Sequence, residues 1–326
     1  MNRRMPLHLV VSAILSLSSA AANAAGDECR ENGAPAVSFV EFQSPNLAAP
    51  QSPLTIKGKL SLPVRSDSRL PRPCFVARHN LPAVVILHGS SGVDSRGDFY
   101  AAALNAAGIA TLEIDMWEAR GVVGGTNRPA LPILTYPDAF SALAFLGAHP
   151  NIAPERIGVL GFSWGGVISV AAAEQLYAGM FGGSAGPRFK AHVANYPVCY
   201  AYNKTFPSPP FPPTPAQAGI QFLNLTGAPV LLQIGTEDDY DNGAAHCRSL
   251  ADFVNPSNND VVEVAVYEGA YHGWDRIMVP ITVQDPFANE GSVFKTGVVP
   301  TVEFKADVEK AYASRNRVVS FFRRHL

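Results

Sequence analysis

Charge is sparse in this chain. Only 16% of its 326 residues are Asp, Glu, Lys or Arg, and they leave a net charge of -2. That balance offers no basic surface for nucleic acid or for an anionic membrane. No Cys and His cluster has zinc-site spacing, no P-loop is visible and no segment repeats. Cysteine is scarce as well, at four residues. The N-terminal apolar stretch, Leu7 to Leu17, is short for a bilayer span, which needs about 20 residues. What is present is a chain 47% hydrophobic, able to bury one large core.

The first residues have the form of an export address. Arg3 and Arg4 precede the apolar stretch, and Ala22-Asn23-Ala24 is a small-x-small cleavage site. Residues 1–24 are expected to be a signal peptide, cut near Ala24, leaving 25–326 as a single periplasmic or secreted domain with no stable membrane insertion. An uncleaved anchor and a twin-arginine signal are the alternatives. The residues after Arg4 fit the latter poorly.

The chemistry starts at Gly161-Phe162-Ser163-Trp164-Gly165-Gly166. Arg156 to Leu160 is a short apolar β run, and Val167 to Tyr177 is Ala-rich and helical in character. A serine between glycines at such a strand-to-helix turn is a nucleophile elbow. The helix begins there, so its free N–H groups face any negative charge forming beside the serine.

An elbow of this kind needs an acid and then a histidine later in the chain. Val230 to Ile234 reads as a buried strand and ends in Gly235-Thr236-Glu237-Asp238-Asp239. Val261 to Tyr267 alternates like a strand and ends in Glu268-Gly269-Ala270-Tyr271-His272-Gly273-Trp274. Both follow strand ends, where open parallel sheets place their sites. Ser163 is the expected nucleophile, His272 its base and Asp238 the acid, with Asp239 and Asp241 as rivals. Asp241 is expected in a solvated loop.

Pro82 to Leu87 is a third strand, followed by His88-Gly89-Ser90-Ser91-Gly92. The N–H groups of Ser90 and Trp164 are the expected oxyanion donors. His88 precedes the loop and reads as structural.

These strings together resemble the dienelactone hydrolase family of the α/β-hydrolases, over roughly residues 50–325. The resemblance implies an α/β-hydrolase fold with a mostly parallel central sheet flanked by helices on both faces. It also places Ser163, Asp238 and His272 at the triad positions and Ser90 and Trp164 at the oxyanion positions. Two departures stand out. The family usually carries cysteine where this chain has Ser163, and a glutamate where it has Gly89. A serine with a histidine base is a general ester-cleaving arrangement. The resulting expectation is a serine hydrolase acting on small carboxylic esters or lactones through an acyl-enzyme, with no cofactor and no metal. The alternatives are a small peptidase or amidase of the same fold, and a catalytically silent binding protein. The chain lacks the length for a peptidase's propeller domain, and retention of all three triad residues argues against silence.

Export would put the four cysteines in an oxidising compartment. They allow three pairings. Cys199 with Cys247 is favoured, because the strand Ala191 to Tyr196 should neighbour the one ending at Gly235; Cys29 with Cys74 is the remainder. Free buried thiols are the alternative.

Elsewhere strands alternate with helical segments, which implies parallel pairing. Val37 to Phe42 and Leu54 to Leu62 should form an antiparallel edge, and Phe304 to Phe322 the last helix. Three irregular stretches are candidates for shaping the pocket: Glu118 to Thr135, the Pro-rich Tyr202 to Gly219, and Asp275 to Pro300 as part of a lid. Surface padding is the other reading of each. Trp117, Trp164, Tyr136, Tyr271, Phe206 and Phe211 are candidate pocket aromatics. Arg120 and Arg128 could hold a substrate carboxylate or engage in surface salt bridges.

Overall fold

The computed structural model describes residues 33–66, 75–203 and 224–326. The proposed signal segment, Cys29, Cys74, Phe206, Phe211 and most of the Pro-rich stretch lie outside them.

Eight strands form one sheet. In chain order they are β1 (Ala36–Ser44), β2 (Leu54–Leu62), β3 (Leu81–Leu87), β4 (Ala110–Asp115), β5 (Ile152–Phe162), β6 (His192–Asn195), β7 (Val230–Glu237) and β8 (Val262–Tyr271). Their spatial order is β1-β2-β4-β3-β5-β6-β7-β8. β1 pairs antiparallel with β2, and β2 with β4; every other pairing in the sheet is parallel. The expected antiparallel edge is therefore present, with Phe42 opposite Ile56.

The parallel strands read as nearly unbroken apolar runs because both of their faces are covered. β3 shows this residue by residue. Val84 and Ile86 join one core with Tyr100 and Leu104 of α1 (Ser95–Ala106). Ala83, Val85 and Leu87 join the other with Phe140, Leu143 and Leu146 of α2 (Tyr136–Gly147). The helical stretch after the elbow is two helices, α3 (Trp164–Ala172) and α4 (Gln175–Gly182). Glu174 separates them by turning its carboxylate onto the amides of Leu176 and Tyr177. α5 (Ala245–Val254) follows β7.

The last helix, α6 (Val308–His325), starts later than expected, after Asp307 caps the Lys310 amide. Phe304 instead ends a strand, Thr301–Phe304, paired with Ile281–Gln284. The parallel register aligns the strand ends. Leu87 lies opposite Gly161, Phe162 opposite Asn195, and Asn195 opposite Gln233. The segments after β3, β5, β6, β7 and β8 thus leave the sheet at one rim.

Candidate active site

β5 ends at Phe162 and α3 begins at Trp164, so Ser163 alone makes the turn. Its backbone has φ 51° and ψ −108°. A non-glycine residue held there costs about 1–3 kcal/mol and persists only where its surroundings over-determine it. Ser163 N–H donates to Asn195 O at 2.9 Å, and Gly165 N–H to His88 O at 3.1 Å. The flanking glycines supply space: a Cβ on Gly161 would stand 1.9 Å from the Gly165 carbonyl oxygen, and one on Gly165 2.2 Å from that of Leu87.

The three residues singled out by order along the chain meet. His272 Nε2 is 2.9 Å from Ser163 Oγ, and His272 Nδ1 is 2.8 Å from Asp238 Oδ2. The carboxylate accepts, so Nδ1 carries the proton and Nε2 faces the hydroxyl as a proton acceptor. Exposure is 9% for Ser163, 1% for Asp238 and 0% for His272. Rings hold the imidazole on several sides, with centroids at 4.3 Å for Tyr240, 4.7 Å for Tyr196 and 5.5 Å for Phe304.

Each residue of the acid loop has its own task. Asp238 Oδ1 accepts from the Tyr240 amide at 2.9 Å. Asp239 turns away and accepts from the Glu303 amide at 2.6 Å. The expectation that Asp241 lies in a solvated loop is wrong. It is buried, and its carboxylate accepts from the Cys199 and Tyr200 amides, each at 2.7 Å. The sequence hid this because those amides lie some 40 positions back along the chain. Beside it, Cys199 and Cys247 form the favoured disulfide, with sulfurs 2.05 Å apart. Cys199, Asp241 and Cys247 converge within 4.8 Å, but bonded sulfurs are not thiolate ligands.

The loop after β3, where an oxyanion site is expected, is fixed from behind. Gly89 O accepts from Gly92 N–H at 3.0 Å and lies 2.8 Å from His88 Nδ1. His88 Nε2 accepts from the Met116 amide at 2.9 Å, which makes Nδ1 the donor. Burial pushes His88 down to about 4, so it is a neutral strut and forms no ion pair with Asp115. With Gly89 O held, the trans peptide directs the Ser90 N–H the opposite way. The Ser90 and Trp164 amides donate to no group among the described residues. The space a side chain at Gly89 would need holds the Arg96 guanidinium, 3.2 Å from the Cβ position.

Gly124 and Gly125 of the 118–135 segment pack on this loop. Ser90 O accepts from Trp117 Nε1 at 3.1 Å and from Gly125 N–H at 2.8 Å. Trp117 and Trp164 come together, rings 5.6 Å apart. The Arg120 guanidinium is engaged by the protein itself. It donates to Asp138 at 2.6 and 3.2 Å and to the carbonyls of Met116 and Leu134. Asp138 is wholly buried and draws the guanidinium inward. Nor is Arg128 a surface pair, since it bonds the buried Asp285. Tyr136 packs on Tyr177 and Phe181 between α2 and α4. The half-buried Tyr271 ring carries Lys305 Nζ at 5.2 Å.

Several contributors escaped the sequence reading. Asp275 accepts from Tyr196 Oη at 2.5 Å, Tyr100 Oη at 2.7 Å and Asn195 Nδ2 at 3.2 Å, anchoring the ring that meets His272. Tyr240 bonds Asp285 in the 275–300 segment, and burial raises its hydroxyl well above the usual tyrosine range, keeping it a donor. The closeness of Tyr240 to Asp238, and of Asp275 to His272, was their only visible signal.

Residues 74–326 match the Dienelactone hydrolase family. A relative named "Probable 2-oxo-3-(5-oxofuran-2-ylidene)propanoate lactonase", from Bradyrhizobium sp, is 24% identical over 215 residues, spanning 63% of this chain and 77% of that one. Among solved structures, a putative dienelactone hydrolase from Klebsiella pneumoniae subsp. pneumoniae superposes with a TM-score of 0.53 at 17% identity, covering 88% of this chain and 98% of that one. Thermogutta terrifontis esterase 2 gives 0.54 at 14% identity, with coverage of 90% and 94%.

Proposed function

This chain belongs to the dienelactone hydrolase family, and we propose that it is an exported serine hydrolase cleaving carboxylic esters or lactones through an acyl-enzyme. The carrying observation is the row Ser163 Oγ, His272 Nε2, His272 Nδ1, Asp238 Oδ2, with contacts of 2.9 and 2.8 Å. His272 takes the hydroxyl proton as Ser163 attacks the carbonyl carbon, and Asp238 stabilises the imidazolium. The Ser90 and Trp164 amides receive the oxygen of the tetrahedral intermediate. His272 then protonates the leaving alcohol, and a water it activates releases the acid. In a lactone the leaving oxygen stays tethered to the acyl chain, and the same steps open the ring.

Lactonase and esterase relatives support this substrate class. The Cys199–Cys247 disulfide supports export, because such bonds persist in oxidising compartments. The test is turnover of p-nitrophenyl acetate and butyrate. Wild-type hydrolysis and fluorophosphonate labelling, both lost in Ser163→Ala, are the expected result; neither activity in the wild type would point to a silent member of the fold.

A further inference from the structure

Ser163 is not the only strained residue at this rim. Tyr196 follows β6 with φ 42°. A non-glycine residue keeps such a left-handed backbone only where its surroundings over-determine it. The Tyr196 amide donates to Gln233 O at 2.6 Å, and the carbonyl of Asn195 just before it accepts from the Ser163 amide at 2.9 Å. From this turn the Tyr196 ring lies against His272, with centroids 4.7 Å apart.

The far end of that ring bridges an ion pair. Tyr196 Oη donates to Asp275 Oδ1 at 2.5 Å and accepts from Arg96 Nη1 at 3.1 Å. Burial and the charge of Asp275 raise this hydroxyl well above the usual tyrosine range, which keeps it a donor. The second oxygen of Asp275 accepts from Tyr100 Oη and Asn195 Nδ2. Arg96 Nε and Nη2 donate to Asp94 at 2.8 and 2.6 Å. Arg96 and Asp275 are both buried, so the hydroxyl is held between a cation and an anion by charge-assisted bonds.

Arg96 also reaches the loop after β3. Its Nη2 lies 3.2 Å from the Cβ position of Gly89 and 3.5 Å from Ser91 Oγ, and its guanidinium carbon lies 5.3 Å from the centre of the Phe162 ring. Gly89 and Ser91 flank Ser90, and Phe162 precedes Ser163. One buried cation thus contacts the loop of the expected oxyanion donor, the residue before the nucleophile and the hydroxyl of the ring on the base.

Resting on the serine-hydrolase reading above, we propose that Tyr196 and Arg96 are positioning residues: the hydroxyl-bridged Arg96–Asp275 pair fixes the Tyr196 ring so that His272 Nε2 stays on Ser163 Oγ, and Arg96 holds the Gly89–Ser91 loop in place relative to that base. Both act through other groups.

Tyr196→Phe keeps the ring and removes the bridge. With p-nitrophenyl butyrate its kcat should fall about tenfold at unchanged KM. Tyr267→Phe is the control. Tyr267 donates to Gln233, which donates to Asn195, so it belongs to the same buried network, but its ring lies on Trp274. Its loss should leave kcat within about twofold. In a His272→Ala background Tyr196→Phe should cost nothing further, because its effect runs through the imidazole, whereas Arg96→Met should still lower the residual rate about threefold through the loop. Should Tyr196→Phe fail to fold, Arg96→Lys, which keeps the charge but cannot hold Asp94 and Tyr196 together, replaces it in the comparison with Tyr267→Phe.

Full kcat in Tyr196→Phe, a loss no greater than that of Tyr267→Phe, or a loss that survives removal of His272 overturns the proposal for Tyr196. An unchanged residual rate in Arg96→Met overturns it for the loop. If the wild type turns over no ester and takes no fluorophosphonate, the hydrolase reading falls instead. Proton NMR then decides the positioning: the low-field His272 Nδ1–H signal should shift in Tyr196→Phe and stay in place in Tyr267→Phe, and a signal unmoved in Tyr196→Phe sinks it.

Discussion

The ring of Tyr240 lies on the imidazole of His272, with centroids 4.3 Å apart and planes tilted by 47°. The tyrosine is itself tied down, by its amide to Asp238 and by its hydroxyl to Asp285, each at 2.9 Å. The acid loop therefore supplies both the carboxylate that pairs with the histidine and the wall that orients it.

Tyr240→Phe keeps the wall and loses one hydrogen bond, so kcat for a simple ester should fall by about threefold. Tyr240→Ala removes the wall, and a loosened imidazole should lower kcat on the order of a hundredfold with little change in KM. Steady-state kinetics on both variants, with thermal melts to confirm folding, provide the check. Full kcat in the alanine variant would show that the ring does not orient the base.

Substitution of the acidic residues separates their roles. Asp238→Asn presents the wrong partner to His272 Nδ1 and should cost about ten thousandfold in kcat. Among the described residues the Asp239 carboxylate bonds the Glu303 backbone amide in the Thr301–Phe304 strand and not His272, so Asp239→Asn should cost less than about tenfold. A larger loss from Asp239 would reverse the assignment of the acid.

Arg120 is a stability residue. Burial raises the Asp138 carboxyl above the usual aspartate range even with Arg120 beside it. Arg120→Ala strands that buried group and should destabilise the fold by about 3–5 kcal/mol, leaving KM for esters unchanged. Urea melts and kinetics on one preparation test this. Unchanged stability with a raised KM would return Arg120 to the substrate site.

The Cys199–Cys247 bond spans 48 positions and joins the segment after β6 to α5, around the carboxylate of Asp241. Loop-closure entropy at that separation is worth about 4 kcal/mol, so replacing both cysteines by serine should lower Tm by roughly 5–10 °C. Peptide mapping without reductant should recover the two joined; free alkylation of both thiols in the native protein would contradict the pairing.

Acid should weaken the fold through two buried histidines. Burial pushes both His88 and His192 down from 6.5 to about 4. The unfolded chain takes up these protons first, so the stability is present above pH 6.5 and is lost as pH falls from 6.5 to 4. Each site accounts for about 3 kcal/mol at most. His192→Asn keeps a donor for Ser169 O without a titrating ring, so its Tm should fall less steeply with acid over that range. Parallel Tm curves for variant and wild type would count against this account.

Much of the architecture was legible because it follows from local rules. The apolar β runs, the glycines around Ser163 and the turn before His272 announced the strands and the rim. The boundaries were less legible where tertiary contacts decide them. Val167 to Tyr177 reads as one helix because its residues suit a helix throughout, yet Glu174 caps a new one. Phe304 reads as helical until the strand Ile281–Gln284 pairs with its segment.

Residue types and their order along the chain determined the candidate nucleophile and base, the strand ends that carry them and the class of fold, because strain, alternation and turn chemistry are local. Three-dimensional packing alone decided that Asp238 rather than Asp239 faces His272, that Asp241 is buried, that Arg120 serves Asp138 and that Arg128 serves Asp285. A side chain's partner depends on which distant groups the closed sheet brings within hydrogen-bond distance, and spacing along a chain does not encode that distance.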